Sequence, residues 1–145
     1  MEVATEVAQM ATFRLGNDWY GIDVLAVQEV LFPLPLESVP GAPSTVAGLL
    51  NVRGVIMTNL SLKARLGLQN QSYSDEYFNL ILTTEVGQVC VMVDAIGDVV
   101  STVGHQLYPA PIEAEQNQVR EFIVGVYQIE NCLFALLDAE LLTAA

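Results

Sequence analysis

Apolar and polar residues along this chain alternate in short blocks, each closed by a turn-forming cluster, and no stretch sustains a helical period for long. Met10 to Leu15 and Asp18 to Val24 read as two strands of a hairpin around Gly16-Asn17-Asp18. Val24 to Val30, VLAVQEV, fits a short helical turn or an irregular strand. Pro33, Pro35, Pro40 and Pro43 make residues 33–45 an extended loop that no helix crosses. Val46 to Val52 and Val55 to Leu60 then predict two strands meeting at a tight Arg53-Gly54 corner. Ser61 is placed to cap a short helix over Leu62 to Leu66, which Gly67 ends.

After the polar stretch QNQSYSDE (69–76), the best internal boundary, the pattern starts again. Tyr77 to Thr84 and Gln88 to Val93 form a second hairpin with Glu85-Val86-Gly87 at its tip. Ala95 to Val99 echoes Ala26 to Val30, and Pro109 and Pro111 match the earlier proline loop. Residues 114–121 read as a polar, exposed connection. With Gly48 set against Gly125, the unit at 46–68 aligns without a gap on the chain's end: Val52 falls on Ile129, Gly54 on Asn131, Ile56 on Leu133, Met57 on Phe134, Leu60 on Leu137 and Ser61 on Asp138. Ser and Asp are both good helix N-caps, so the last pair keeps its role.

The duplication predicts an all-β protein of two similar units, each of about five short strands and a terminal helical turn. Five short strands close most economically as a small barrel, which removes exposed edges. Two barrels packed together explain strands such as Val89-Cys90-Val91-Met92-Val93 that are apolar on both sides. The repeat also exposes a difference. Glu29 and Arg53 correspond to Asp98 and Glu130, so only the first half joins an acid to a base, and that pair is expected to meet across a surface.

Composition narrows the function. The 145 residues carry a net charge of −12, with 52% apolar and 15% charged residues, which excludes a disordered chain. The acidity argues against nucleic acid and against an anionic membrane surface. No apolar run is long enough to span a bilayer, and MEVATEVA at the start does not resemble a signal peptide, so a cytoplasmic protein is expected. Arg53, Lys63 and Arg65 are three of five basic residues, and the strand-corner-strand-helix unit is therefore expected to be where positive charge gathers. An arginine there is a plausible docking handle, because its planar fork holds a carboxylate in a fixed direction.

Catalytic signals are weak. His105 is the only histidine, the two cysteines, Cys90 and Cys132, fall in apolar strands and are expected to be reduced and packed, and no metal-ligand spacing or phosphate-cradling loop occurs. Asp23, Asp94 and Asp98 sit at strand ends, where turn duties are commoner than acid–base work. Trp19-Tyr20 reads as core or rim packing. The expectation is no enzyme, no metal and no cofactor; the competing class is a small hydrolase or ligand-binding barrel that gathers Asp94, Asp98 and His105.

FRLGNDWYGIDVLAVQEV (13–30), AP then G at 42–48, NVRG (51–54), VMVDAIGDVV (91–100) and FIVGV followed by LFALLDAELL together resemble, in order and spacing, the bacterial chemotaxis coupling protein CheW and the CheW-like regulatory domain of its histidine kinase. The resemblance runs from about Phe13 to Leu142 and departs at Thr58, Asn59 and Ser61, where the family usually has proline, an apolar residue and aspartate. It implies a single CheW-like domain over 8–145 made of two SH3-type barrels, approximately 13–68 and 76–142, with strands exchanged near the ends. It also implies a non-enzymatic adaptor that holds a chemoreceptor's cytoplasmic tip on one surface and a CheA-type histidine kinase's regulatory domain on another, assembled at membrane receptors. By motif, Val27, Glu29, Val30, Arg53 and Ile56 are the receptor-side contacts. A free chain of this length fits the stand-alone coupler; the alternative is a divergent paralogue that binds the kinase alone or competes with the coupler.

Overall fold

Among the described residues, ten strands and three short helices follow the expected punctuation closely. The computed structural model describes residues 8–68, 70–73, 75–109 and 118–144. Strands β1 (Gln9–Leu15) and β2 (Asp18–Asp23) form the first hairpin. The ambiguous stretch after it contains both alternatives in turn. A 3-10 turn over Val24–Ala26, capped by the Asp23 carboxylate accepting from Leu25 N–H at 2.9 Å, leads into β3 (Val27–Leu31). Next come β4 (Val46–Val52), β5 (Val55–Ser61) and helix α1 (Leu62–Arg65), with Ser61 Oγ accepting from Ala64 N–H at 3.2 Å. The second half repeats this with β6 (Phe78–Thr84), β7 (Gly87–Val93), β8 (Ala95–Ser101), β9 (Ile123–Ile129), β10 (Cys132–Leu137) and α3 (Ala139–Thr143), the last capped by Asp138.

One expected loop is partly helix. Residues 118–121 belong to α2 (Gln118–Phe122), because Val119 and Phe122, one helical turn apart, both reach the main core. Residues 114–117, Pro111 and the first seven residues lie outside the described ones.

The strands form two five-stranded sheets, ordered β8-β1-β2-β10-β9 and β3-β6-β7-β5-β4. Substituting each strand by its counterpart in the repeat (β1 for β6, β2 for β7, β3 for β8, β4 for β9, β5 for β10) turns one order into the other. Both sheets also contain one parallel contact at the same place, β10 with β2 and β5 with β7. Neither sheet is drawn from one half alone. Each half lends its first hairpin to the other's sheet, so 13–68 and 76–142 mark the repeat rather than the two sheets, and the exchange involves whole hairpins.

Each sheet curls until its outer strands approach. The chain leaving β3 crosses the opening and makes one bridge to β4, Glu37 with Leu49, with N–H···O distances of 3.0 and 2.9 Å. The chain leaving β8 does the same with Tyr108 and Val126, both bonds at 2.8 Å. The glycines that align the repeat explain how. A Cβ on Gly48 would stand 2.6 Å from the Glu37 carbonyl oxygen, and one on Gly125 would stand 2.7 Å from that of Tyr108. Only glycine lets the closing segment in.

Three apolar clusters result. The largest lies between the sheets and draws Phe13, Tyr20 and Ile22 from one, Leu80, Leu82, Val91 and Val93 from the other, and Leu62, Phe122 and Leu142 from the helices. The second sheet encloses Leu50, Val52, Met57, Ile81 and Cys90; the first encloses Met10, Ile129 and Phe134. Strand β7 is apolar on both faces for this reason: Cys90 points into its own sheet's core while Val91 and Val93 face the neighbouring sheet.

Candidate functional site: an ion pair on apolar ground

The corner between β4 and β5 carries the distinguishing geometry. Arg53 adopts φ +51° and Gly54 φ +91°, a combination that suits a two-residue hairpin and is costly for most side chains. Asn51 stabilises it: its side-chain oxygen accepts from Gly54 N–H at 2.7 Å. The arginine is thereby projected off the end of the hairpin, with its side chain 65% exposed.

From there it reaches across the open end of the sheet to β3. Arg53 Nη2 lies 2.5 Å from Glu29 Oε1 and Nη1 lies 3.1 Å from Oε2, a fork-on-fork pair. Strands β3 and β4 are the two outer strands of this sheet, so the pair joins positions that only its curl brings together. The hydrogen bond and the charge of Glu29 raise the Arg53 pKa further above its usual value, which keeps the guanidinium charged at every physiological pH. Two apolar side chains close to the pair along the chain are also exposed: Ile56 on β5 at 61% and Val30 on β3 at 46%. Val27 sits differently, half-buried against the cluster between the sheets. Sequence reasoning missed Phe32, 74% exposed and packed at 5.6 Å on the Phe78 ring, and Val55, also exposed. A large apolar residue directly before the proline loop and another directly after the corner were the available signals.

The expected gathering of positive charge needs correction. Lys63 is buried, its Nζ 2.7 Å from Asp94 Oδ2, bonded to the Ser72 carbonyl and 4.4 Å from the centre of the Tyr73 ring. Asp94 also accepts from Gly16 N–H at 2.7 Å. Arg65 turns to the chain's end, donating to the carbonyls of Leu141, Leu142 and Ala144 and lying over Phe122. Both basic residues lie beyond the corner by the full length of β5, on α1, and the packing of that helix carries them inward. Of the three, only Arg53 is presented to solvent as a fork.

The other candidates are dispersed. With Asp94 committed to Lys63, the grouping of Asp94, Asp98 and His105 does not form, although Asp98 and His105 do line one groove of the first sheet. Among the described residues no cluster of three or more His, Cys, Asp or Glu could hold a metal ion. Tyr20 is buried in the main core with its pKa pushed up to about 12 by desolvation and by Asp18. Both cysteines are free thiols; burial lifts Cys90 to about 12 and also raises Cys132. Asn59 and Ser61, which depart from the family pattern beside the corner, both point into the fold. Asn59 Nδ2 donates to Asn79 Oδ1 at 3.3 Å, and its own Oδ1 is buried without a partner.

Two interleaved five-stranded sheets, with a forked Glu29–Arg53 pair at the open end of one of them and with Lys63, Asp94 and Arg65 tied into structure, define the SH3-like class of double-sheet folds. The CheW-like domain family matches residues 9–145, and the chain belongs to that family, whose members are scaffold and adaptor components of chemotaxis. The chain is 31% identical over 133 residues to "Chemotaxis protein CheW" of Klebsiella aerogenes, covering 92% of this chain and 80% of that one. It is 30% identical over 142 residues to the protein of the same name from Treponema pallidum, covering 95% and 83%. In fold it resembles the scaffolding protein TtCheW from Thermoanaerobacter tengcongensis, with a TM-score of 0.82, 21% identity, and 97% and 94% of the two chains covered. Among the described residues no helix is long and apolar enough to cross a membrane.

Proposed function

We propose that this protein is a non-enzymatic coupler that holds a chemoreceptor's cytoplasmic tip and the regulatory domain of a CheA-type histidine kinase together, in the cytoplasm at the receptor membrane. The face that receives the receptor is built by Glu29, Val30, Arg53 and Ile56, with Val27 supporting β3 from behind. The observation that carries this reading is the forked Glu29–Arg53 pair, held at 2.5 and 3.1 Å on exposed apolar ground in a chain whose family works by scaffolding. Such a surface suits reversible assembly: apolar side chains supply the contact area, and the fixed charges set orientation. Coupling then works by differential binding. A shift in the receptor changes how well the assembled kinase state is held, and the adaptor passes on that difference.

The test is a pull-down of the purified chain with a receptor signalling fragment and with the kinase regulatory domain, separately and then together. The expected outcome is capture of each alone and of both in one complex. Arg53→Glu is expected to abolish receptor capture and leave the melting temperature unchanged, since Glu130 already occupies the equivalent corner at φ +56°. Capture of the kinase domain with no receptor binding by the unaltered chain would identify a kinase-only paralogue instead.

A further inference from the structure

Each of the two similar units β4-β5-α1 and β9-β10-α3 meets two similar hairpins, β1-β2 and β6-β7. Each takes the hairpin of the other half: β5 lies beside β7, and β10 beside β2. Strand order does not distinguish the two choices, because exchanging the hairpins would leave the same pattern in both sheets.

Two polar pairs mark one of these joints and are missing from the other. Asn59 of β5 and Asn79 of β6 are both fully buried. Asn59 Nδ2 donates to Asn79 Oδ1 at 3.3 Å, and Asn79 Nδ2 donates to the Phe32 carbonyl at 3.4 Å. On α1, Lys63 Nζ is sealed 2.7 Å from Oδ2 of Asp94, the residue after β7. Both pairs therefore join the β4-β5-α1 unit to the β6-β7 hairpin. The alignment of Gly48 with Gly125 gives Leu136 as the counterpart of Asn59 and Glu140 as that of Lys63. Matching the hairpins by their tips gives Met10 for Asn79 and, continuing past the strands, Leu25 for Asp94. These four counterparts line one groove at the other joint, and Met10 and Leu136 share the first sheet's apolar cluster.

We propose that these two pairs select the hairpin exchange: Asn59 with Asn79 and Lys63 with Asp94 admit the β6-β7 hairpin to the β4-β5-α1 unit and exclude β1-β2 from it. In the competing arrangement each half keeps its own hairpin. Asn59 then meets Met10, Lys63 meets Leu25, Leu136 meets Asn79 and Glu140 meets Asp94. All four contacts are wrong: two buried amides lose each other, a lysine loses its anion and two acids come together. The native pairing has its own cost, since Asn59 Oδ1 is buried without a partner. A core selected for stability alone would repeat the leucine and methionine of the first sheet. Buried polar groups that are satisfied in one arrangement only specify that arrangement by penalising its competitor. The selection concerns how the duplicated chain reaches a single fold, and it does not depend on the receptor-side reading.

The test follows inter-strand nuclear Overhauser contacts in the full chain after refolding from urea. The unaltered chain is expected to show one set, with 59–61 beside 90–92 and 135–136 beside 20–21. A swapped variant combines Asn59→Leu with Leu136→Asn and Lys63→Glu with Glu140→Lys, which moves the partners of Asn79 and Asp94 to the other unit at unchanged net charge. The β6-β7 hairpin is expected to follow them, bringing 136–137 beside 90–91 and 58–59 beside 20–21. A neutral variant, Asn59→Leu with Asn79→Met, Lys63→Met and Asp94→Leu, removes the preference. It is expected to fold and to populate both sets, the second rising at least about tenfold to about 10% of chains or more. Leu50→Ala weakens the second sheet's core without touching either pair, and is expected to lower the melting temperature and keep the native set alone. Native contacts alone in the neutral variant, native contacts alone in the swapped one, or the second set appearing equally in Leu50→Ala would overturn the proposal.

Discussion

Cys90 shows how strongly a single position is decided by what surrounds it. Its thiol is fully buried in the second sheet's core, and desolvation lifts its pKa to about 12. The protonated form is favoured in the folded chain, which therefore binds more protons than the unfolded chain once pH rises above the ordinary thiol value. This contribution to stability is complete below that value and is lost progressively as pH climbs toward about 12. Tyr20, with its own pKa pushed up to about 12, acts in the same direction. Denaturant unfolding measured from pH 8 upward is expected to show falling stability, and Cys90→Val is expected to flatten part of that fall. At neutral pH a thiol reagent is expected to label the half-buried Cys132 well before Cys90. Lys63 is the other residue whose fate its neighbours set. Replacing it with methionine leaves Asp94 buried and short of its cation, and is expected to cost about 3–5 kcal/mol in urea unfolding. Lys63→Met combined with Asp94→Asn is expected to recover part of that loss.

At the scale of elements, the turn and cap residues were legible because their effects are local. Gly16-Asn17-Asp18, Arg53-Gly54, the Ser61 and Asp138 caps and the Gly67 stop all act through backbone conformation or through hydrogen bonds within a few residues. The helix α2 was not legible from its polar neighbourhood, because Val119 and Phe122 become core only once both sheets stand against them. The roles of Gly48 and Gly125 belong to this scale as well. Either glycine replaced by alanine drives a Cβ into a backbone carbonyl at 2.6 or 2.7 Å and is expected to destabilise the chain by about 1–3 kcal/mol. Hydrogen exchange is expected to show where the loss falls: the bridge amides of Glu37 and Leu49 lose protection in Gly48→Ala, and those of Tyr108 and Val126 in Gly125→Ala.

For the whole molecule, the exchanged hairpins make the halves interdependent. Residues 1–75 on their own retain β1 and β2 of one sheet and β3, β4 and β5 of the other, and neither sheet is whole. Each half expressed separately is expected to be unfolded by circular dichroism and proteolysis, and the two together are expected to assemble into a folded complex. The full chain is expected to unfold in one transition when followed by Trp19 fluorescence and by far-ultraviolet circular dichroism. A half that folded alone would contradict the interleaved topology.

The sequence by itself determined the number and order of strands, the two-fold repeat, the corner that presents Arg53 and its relation to Glu29, because these rest on alternation, turn chemistry and an alignment of the chain with itself. Even the ion pair was foreseeable, since duplicated halves must place matching residues in matching positions. Tertiary structure alone decided which hairpin joins which sheet, why Lys63 is sealed against Asp94 while Arg53 stays in solvent, and where the second sheet's face is repeated with two acids in place of the acid–base pair. Burial is the common reason. Whether a side chain meets water or a partner depends on surfaces contributed by residues far away along the chain, and no local pattern records how those surfaces come together.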